Sequence, residues 1–353
     1  MKKRVYIIGA GPGDAALLTA KAAGLLAECG EVFAARRLAE LMAPLRPDIR
    51  VSTVSAMPEE IEASAAGRVA ALVSGDAGFY SIASSLAQKL AGSAEVEIVS
   101  GISSLQYLCA KLGVGYEGVE VMSLHGRQGD LPGRVAYNRL VFALTGGSRK
   151  ANDLCRELHE RGSKDLTVTA GENLSMPGER IVTGKALELS KLSFGDLTVL
   201  LIENPGWADH NVPLTDGDFI RGKTPMTKEE VRWIAASKLA VRPGDTVYDI
   251  GAGTGSVAVE LARKAYRGTV YAVEREEDAA RLTEKNREKL GAWNIVVQRG
   301  EAPDALGPLP APDRAFIGGS GGALRKTVEA LLAKNPRVRL AVTAVSLETL
   351  AET

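Results

Sequence analysis

Two glycine-rich turns, each directly after a short apolar run, constrain the fold of this 353-residue chain more than any other feature. The first is Gly-Ala-Gly-Pro-Gly-Asp at residues 9–14, after an apolar run at residues 5–8. The second is Gly-Ala-Gly-Thr-Gly at residues 251–255, after an apolar run at residues 246–250. An apolar strand that enters a glycine turn and then a helix is typical of open parallel sheets with helices on both faces. Because one hydrophobic core rarely serves so long a chain, we expect two α/β domains.

Short apolar runs alternate with helical patterns along the first half of the chain. Alternation of this kind indicates βαβ units, and apolar residues at i, i+3 and i+4 indicate helices that cover a sheet. We predict two α/β lobes, at about residues 1–115 and 116–205. The predicted strands are residues 5–8, 69–73, 97–99, 140–144, 166–168 and 198–202, and the predicted helices are residues 17–27, 82–90 and 151–160.

A stretch rich in proline, glycine and aspartate separates the two halves. It has no hydrophobic periodicity, so we predict a first domain at residues 1–205, a linker at 206–225 and a second domain at 226–353. The spacing of Thr227 and Glu230 predicts a capping box at the start of a helix that ends near Leu239. The predicted strands of the second domain are residues 246–250, 269–273, 295–298, 314–317 and 338–345.

Composition excludes several classes of function. Lys and Arg together number 43 and so do Asp and Glu, which does not fit a nucleic-acid partner and favours a small molecule. The three cysteines show no CxxC spacing, so we expect neither a disulfide framework nor a metal site, and a reducing cytoplasm. The first apolar run is too short for a signal peptide or a membrane span.

The first glycine turn does not fit a dinucleotide site, because Asp14 stands where the fingerprint needs its third glycine and Pro12 lacks an N–H donor. Two further loops follow predicted strands, at residues 74–80 and 101–106, and loops after parallel strands share one edge of a sheet. The first turn fits a plain structural role equally well. Asp76, Ser103 and Ser104 fit helix caps at least as well as ligand contacts.

The second glycine turn also departs from the dinucleotide pattern, since Ser256 occupies the position of the third glycine. Glu274 ends the next predicted strand, about 20 residues further on, where a carboxylate can accept both hydroxyl protons of a ribose. A plain surface acid is the alternative at this position.

Together with Ser-Leu-His-Gly-Arg at residues 123–127 and Gly-Glu-Asn-Leu at 171–174, the loops of the first half resemble the tetrapyrrole methylase family, most closely its CbiE type. The resemblance covers about residues 4–205, and Ala77 departs from the proline common in the family. It implies methylation of a corrin precursor, a tetrapyrrole, at C5, with S-adenosylmethionine as donor and S-adenosylhomocysteine as product. The implied cofactor contacts are Pro12, Gly75, Asp76, Ser103, Ser104 and Ala170.

The second half, through residues 225–232, 300–306 and 316–322, resembles the CbiT type of Rossmann-like methyltransferases. That type methylates the corrin precursor at C15 and removes the carboxyl group of the acetate at C12. The implied cofactor contacts are Thr227, Gly251, Gly253, Gly255, Glu274 and Ala302. A CbiE-like half before a CbiT-like half resembles the fused methyltransferases of vitamin B12 biosynthesis, and relatives of both types self-associate, which implies a homo-oligomer.

A tetrapyrrole with many acetate and propionate groups predicts arginines around the cleft. Arg127, Arg149 and Arg325 are candidates on loops beside the motifs, although ordinary solvated charge explains them equally well. Gly319 and Ser320 lie in a glycine-rich segment that we expect to contact substrate rather than form a flexible linker. His125 is the candidate for proton transfer, or else a hydrogen-bond donor to substrate.

Methyltransferases of the second type usually close their sheet with two further strands, and this chain ends at Thr353. We therefore expect a truncated second domain with an exposed edge strand. The alternatives left open are a C5 methylase with a non-catalytic second domain, and a methylase that acts on another carbon of the ring. The sequence does not distinguish cobalt-free from cobalt-containing substrate.

Overall fold

The computed structural model describes residues 2–126, 129–344 and 350–351. Within them, three five-stranded sheets follow one another along the chain. Their order agrees with two lobes in the first half and one Rossmann-like unit in the second. Among the described helices, none combines the length and the apolar character that a membrane span requires.

The first sheet is parallel throughout and carries helices on both faces. Its strands are β1 (Lys3–Gly9), β2 (Glu31–Ala34), β3 (Arg50–Val51), β4 (Arg68–Val73) and β5 (Ala94–Val99). Its helices are α1 (Ala20–Glu28), α2 (Arg36–Met42), α3 (Met57–Ala63), α4 (Ala83–Leu90) and α5 (Ser104–Leu112). The strand order β3-β2-β4-β1-β5 places β1 and β4 in the interior, where they are apolar on both faces.

The second sheet is mixed, which corrects the βαβ prediction for this lobe. Its strands are β6 (Glu120–Ser123), β7 (Leu140–Leu144), β8 (Thr167–Glu172), β9 (Arg180–Lys185) and β10 (Thr198–Glu203), and its helices are α6 (Leu131–Ala136), α7 (Ala151–Arg161) and α8 (Ala186–Leu189). In the order β6-β7-β10-β8-β9 only β6 and β7 are parallel. The connection from β8 to β9 holds no helix, and a parallel crossover needs a dozen residues or more.

The third sheet is parallel throughout. Its strands are β11 (Thr246–Ile250), β12 (Thr269–Glu274), β13 (Ile295–Arg299), β14 (Arg314–Ile317) and β15 (Arg339–Val342), and its helices are α9 (Glu229–Leu239), α10 (Ser256–Lys264), α11 (Glu277–Lys289) and α12 (Leu324–Lys334). The strand order is β13-β12-β11-β14-β15. β15 forms one edge of the described sheet. Residue 345, the end of the last predicted strand, lies outside the described residues.

The capping box predicted at Thr227 is wrong. Helix α9 begins at Glu229 with Lys228 at the N-cap position, and no side chain caps it. The Glu229 carboxylate, one residue before the acid of the predicted motif, accepts the backbone N–H of Asp216 at 2.8 Å. This contact joins the start of α9 to the preceding segment.

The segment between the two halves is docked rather than flexible. Its Ala208 N–H donates to the Ala136 carbonyl, and Phe219 is buried in the core of the third sheet. The fully buried Arg232 donates to the Asp216 carboxylate at 3.0 Å and to the Leu214 carbonyl at 3.2 Å. These contacts attach the connection to elements on both of its sides.

Candidate functional sites

Three loops of the first sheet meet at the carboxyl ends of β1, β4 and β5. Gly11 and Gly75 exchange two backbone hydrogen bonds, at 3.1 and 2.9 Å. A Cβ atom on Gly101 would lie only 2.5 Å from the Gly9 carbonyl oxygen and 2.6 Å from that of Gly75. Only glycine fits at residue 101, because backbone rather than a flexible side chain fills the space around it.

Asp76 and Ser103 stand behind these loops. The Asp76 carboxylate accepts the N–H groups of Gly78, at 2.8 Å, and Gly101, at 3.0 Å, and no helix begins at Asp76. Ser103 forms a capping box with Gln106 at the start of α5, so the helix-cap interpretation is correct for this serine. Both side chains hold the loops in shape, and neither lines the cavity in front of them.

A cavity of about 440 Å³ separates these loops from the second sheet. This volume falls within the range of about 300–1,000 Å³ that small-molecule sites occupy. Four of the predicted residues line the cavity, namely Pro12, Gly75, Ser104 and His125. Ala170 does not, because it is buried inside β8, and its neighbour Gly171 lines the cavity instead.

Arg37 lines the same cavity and was missed by the sequence analysis. Its Nη2 donates to Ser74 Oγ at 2.9 Å, and its Nη1 lies 3.5 Å from Met176 Sδ. Among the described residues no carboxylate forms an ion pair with it, and burial lowers its pKa below the ordinary value. A guanidinium with so few acceptors can bind an anionic ligand group. The only sequence signal was an Arg-Arg pair after β2, a strand that the sequence analysis did not predict.

His125 lies at the far side of this cavity, after β6. Its Nδ1 is close to the backbone of Gly146, where an added Cβ would come within 2.6 Å of the nitrogen. Arg149 does not line the cavity, because its guanidinium donates to the Gly129 carbonyl and to the Glu157 carboxylate. Arg127 lies outside the described residues.

A second cavity, of about 270 Å³, opens at the carboxyl ends of the third sheet. The predicted residues that line it are Gly251, Gly253, Glu274, Ala302, Gly319 and Ser320. Gly251 has a φ of +72°, and a Cβ there would lie 2.6 Å from the Gly319 carbonyl oxygen. The glycine turn and the glycine-rich segment after β14 therefore pack backbone against backbone.

Glu274 is only 8% exposed, and its carboxylate is held by two backbone donors. One oxygen accepts the Gly253 N–H at 2.8 Å and the other accepts the Glu276 N–H at 2.9 Å. A carboxylate oxygen can accept more than one hydrogen bond, so both retain capacity for ligand hydroxyl groups. The burial of Glu274, its two backbone hydrogen bonds and its place in the cavity fit the ribose of the implied cofactor and do not fit a plain surface acid.

Three predicted residues do not line the second cavity. Gly255 has a φ of +75° and begins α10, and a Cβ there would lie 2.7 Å from Thr283 Cγ2, so this glycine serves the packing of α10 against α11. Thr227 lies beside the cavity, which its neighbours Thr224 and Pro225 line instead. Arg325 is exposed in the first turn of α12.

Asp249 lies beneath the second glycine turn and is only 1% exposed. Neither of its carboxylate oxygens has a hydrogen-bond partner of good geometry among the described residues. Burial raises the pKa of Asp249 to about 7, the Ala258 N–H opposes this shift, and the charge of Glu274 adds to it. This carboxyl group therefore titrates near neutral pH.

Metal-binding groups are not clustered in the described part of the chain. No three His, Cys, Asp or Glu side chains described there are placed to hold a metal ion. Cys29, Cys109 and Cys155 are all free thiols buried in the core.

Comparison with known proteins relates both halves of the chain to described families. Residues 4–190 match the family described as Tetrapyrrole (Corrin/Porphyrin) Methylases, and residues 218–353 match a Precorrin methyltransferase domain. A Precorrin-6Y C(5,15)-methyltransferase [decarboxylating] of Sinorhizobium sp is 33% identical over 352 residues, which cover 96% of this chain and 84% of the relative.

Two further matches each cover about two fifths of this chain or slightly less. A probable cobalt-precorrin-6B C(15)-methyltransferase (decarboxylating) of Pyrobaculum calidifontis is 44% identical over 128 residues, or 36% of this chain and 66% of the relative. A solved structure of Precorrin-6y C5,15-methyltransferase from Geobacter metallireducens is 34% identical and covers 40% of this chain and 76% of that chain, with a TM-score of 0.39.

Proposed function

We propose a reaction and a set of site residues for this chain from the premise that it belongs to the tetrapyrrole methylase family, among the precorrin-6Y C5,15-methyltransferases. The chain is an S-adenosylmethionine-dependent methyltransferase of cobalamin biosynthesis, and its substrate is a precorrin. Residues 1–205 transfer a methyl group to C5. Residues 226–353, joined through 206–225, transfer a second to C15 and remove the carboxyl group of the C12 acetate.

The observation that carries this proposal is the presence of two separate cavities. Each lies at the carboxyl ends of its own parallel strands, each is bordered by a glycine turn, and the two share no lining residue. Ligands of open α/β sheets bind at this edge. One donor site in each half supports two methyl transfers.

In the first cavity the chain has to position two molecules and exclude water. S-adenosylmethionine, when bound, supplies a methyl group already activated by its sulfonium, so no nucleophilic side chain is required. Pro12, Gly75 and Ser104 form the donor side, with Asp76, Ser103 and Ala170 behind them. We assign Arg37 and His125 to the substrate side, Arg37 as the partner of a ring carboxylate. His125 donates a hydrogen bond to the ring or moves a proton there.

In the second cavity Glu274 accepts the ribose hydroxyl groups of the donor, and Gly251, Gly253 and Ala302 let the donor lie close to the backbone. Thr227 and Gly255 support this site from outside it. Gly319 and Ser320 face the substrate. The electron pair of the breaking carbon–carboxylate bond passes into the conjugated ring of the substrate as carbon dioxide leaves, and the remaining carbon takes up a proton from solvent to become a methyl group. As substrate ligands, Arg127, Arg149 and Arg325 stay predictions.

Incubation of the full chain with the precorrin and isotopically labelled donor, followed by mass spectrometry, tests this function. We expect two labelled methyl groups to be gained and one carbon dioxide lost. Gain of one methyl group without loss of carbon dioxide would leave only the C5 activity. Titration with S-adenosylhomocysteine should give two binding sites per chain, and a single site would contradict the assignment of the second cavity.

Two coarser predictions accompany this function. Self-association, implied by the relatives, is tested by sedimentation over a range of protein concentrations. A chain that sediments as a monomer at every concentration would contradict this prediction. A cytoplasmic location is supported by the three free, buried cysteines, since a reducing compartment keeps thiols unpaired.

A further inference from the structure

The second cavity faces away from the first half of the chain. It lies at the carboxyl ends of β11 and β12, between Gly251 and Glu274. The first half contacts the opposite ends of these parallel strands. Arg267, before β12, forms an ion pair with Glu120 at 2.9 Å, and the carbonyl of Trp293, before β13, accepts a hydrogen bond from Arg161 at 2.9 Å.

The first cavity faces away from the second half in the same manner. On the second sheet it is lined at Ser123, Leu144, Gly171 and Thr198, which the strand register places along one edge. The contacts with the third sheet come from α6 and from the other edge. Glu120 begins β6, Tyr137 precedes β7, and Arg161 ends α7, which runs back from the carboxyl end of β7.

The interface that joins these two edges is packed and buried. Trp293 is 7% exposed and belongs to the core of the second sheet, although it lies in the second half of the chain. The buried Tyr137 hydroxyl donates to Asn294 Oδ1 at 3.1 Å. The Asn294 amide donates in turn to the Ala262 and Ala265 carbonyls, at 2.9 and 3.0 Å. Buried polar groups paired in this way fix one orientation of the two halves.

The connection between the halves is hydrogen-bonded to both of them, so it is not a free linker about which one half could rotate. Ala208 is bonded to Ala136, and the Arg263 guanidinium donates to the carbonyls of Asp209 and Val212. A swing that brought one cavity to the other would have to break these bonds and expose Trp293.

We propose that the singly methylated tetrapyrrole leaves the protein after one transfer and enters the other cavity from solution. The inference rests on the proposed function of both cavities. Strands rise about 3.3 Å per residue, so a sheet of five- to six-residue strands separates its two edges by roughly 15–20 Å. The second and third sheets, which meet at the ends of their strands, lie between the cavities. A single tetrapyrrole therefore cannot reach from one cavity to the other.

Two full-length variants, each blocked in one cavity, test this path. Ser104→Trp fills the first cavity, and Gly319→Trp fills the second, where a Cβ meets no atom within 4 Å. The exposed Gly92, whose added Cβ also meets nothing within 4 Å, provides the control substitution Gly92→Trp. Each blocked variant should still bind S-adenosylhomocysteine at its unaltered cavity, which shows that it has folded.

If the intermediate is released, an equimolar mixture of the two blocked variants forms the doubly methylated product without loss of rate per site relative to the control. Mixture and control show the same lag before the doubly methylated product forms, dilution of the protein lengthens this lag in both, and the singly methylated compound appears in a protein-free filtrate.

The proposal would be overturned if the mixture showed a lag while the control showed neither a lag nor the singly methylated compound in the filtrate. A lag that is independent of protein concentration would do so too. If the control itself gains fewer than two methyl groups, it is the proposed function that fails.

Discussion

At the scale of single residues, Arg37 is the cation whose removal should most affect the substrate of the first cavity. We expect Arg37→Ala to raise the KM for the tetrapyrrole and leave the KM for the donor nearly unchanged. A hydrogen bond to a charged group contributes about 1.5–3 kcal/mol, which corresponds to a change of roughly 10- to 100-fold. Steady-state kinetics with each substrate varied in turn measures this. Arg36→Ala, an exposed neighbour on α2, is the control. A larger effect on the donor KM would place Arg37 on the donor side instead.

Glu274 is the residue on which donor binding in the second cavity should depend most. A glutamine retains one acceptor oxygen, so one of the two backbone N–H groups of Gly253 and Glu276 would face an amide donor. We expect Glu274→Gln to weaken S-adenosylhomocysteine about 10- to 100-fold at one of the two sites and leave the other unchanged. Calorimetric titration resolves the two sites. Glu277→Gln, an exposed acid on α11, should leave both intact. Two unaltered sites in Glu274→Gln would remove its role.

Asp249 should make the stability of the protein depend on pH. Its pKa rises from 3.8 to about 7 on folding, so between these values the unfolded chain ionises while the folded chain stays protonated. The free energy of unfolding therefore falls as pH rises through this window, by roughly 4 kcal/mol at most, and levels off above it. Asp249→Asn lacks this decline, so the stability of the wild type relative to the variant should decrease from pH 5 to pH 7. Urea unfolding at successive pH values measures the difference. The exposed Asp278→Asn should follow the wild type, and a constant difference between Asp249→Asn and wild type would contradict the shift.

At the scale of elements, the sequence predicts most of the strands that are buried on both faces, although it misses β2, and it misses the exposed strands β3 and β9. β7, β11 and β14 have the predicted bounds, and apolar residues make up most of each run. β3 is two exposed residues long, and β9 alternates exposed and half-buried positions at the edge of its sheet. Such strands form because they pair with neighbouring strands, and no local sequence pattern encodes that pairing.

The candidate sites follow the same division. The glycine turns and Glu274 could be predicted because each lies next to a strong strand. Arg37 could not be predicted, because β2 was not recognised. Its capacity for an anionic ligand follows from its neighbours in the fold, since the guanidinium contacts only Ser74 Oγ and Met176 Sδ among the described hydrogen bonds. Gly255 and Thr227 carry motif spacing, yet Gly255 serves helix packing and the Thr227 carbonyl accepts a hydrogen bond from Arg232 of α9.

The convergence of three loops around Gly101 leads to a prediction at this scale. In Gly101→Ala the added methyl group would press on the carbonyl oxygens of Gly9 and Gly75, and relief requires the loops to separate. Overpacking of this kind costs about 1–3 kcal/mol. We expect lower stability in urea unfolding and loss of S-adenosylhomocysteine at the first site alone. Gly67→Ala, where a Cβ meets nothing within 4 Å, is the control. Loss at both sites would mean that the substitution acts through global unfolding.

At the scale of the whole molecule, the arrangement of the halves could not be predicted from the sequence. The segment at 206–225 resembles a flexible linker in composition, but it is docked because Arg232 and Arg263 bind its carbonyl groups. Tyr137 and Asn294 meet across the interface although they are far apart in the chain, and no motif contains either residue.

Trp293 is the apolar residue that should hold the two halves together, since it belongs to the second half and packs in the core of the second sheet. Removing a buried tryptophan side chain costs about 3–5 kcal/mol. In Trp293→Ala we expect this loss to fall on the interface, so that calorimetry resolves two unfolding transitions where the wild type shows its halves unfolding together. Trp207→Ala, an exposed tryptophan of the connection, should leave the transition unchanged. Because both cavities lie at the edges remote from Trp293, each methyl transfer should continue in the variant below its first transition. Loss of both activities at temperatures where the variant is folded would mean that the interface supports the sites directly, and the two halves would then not work as independent catalysts.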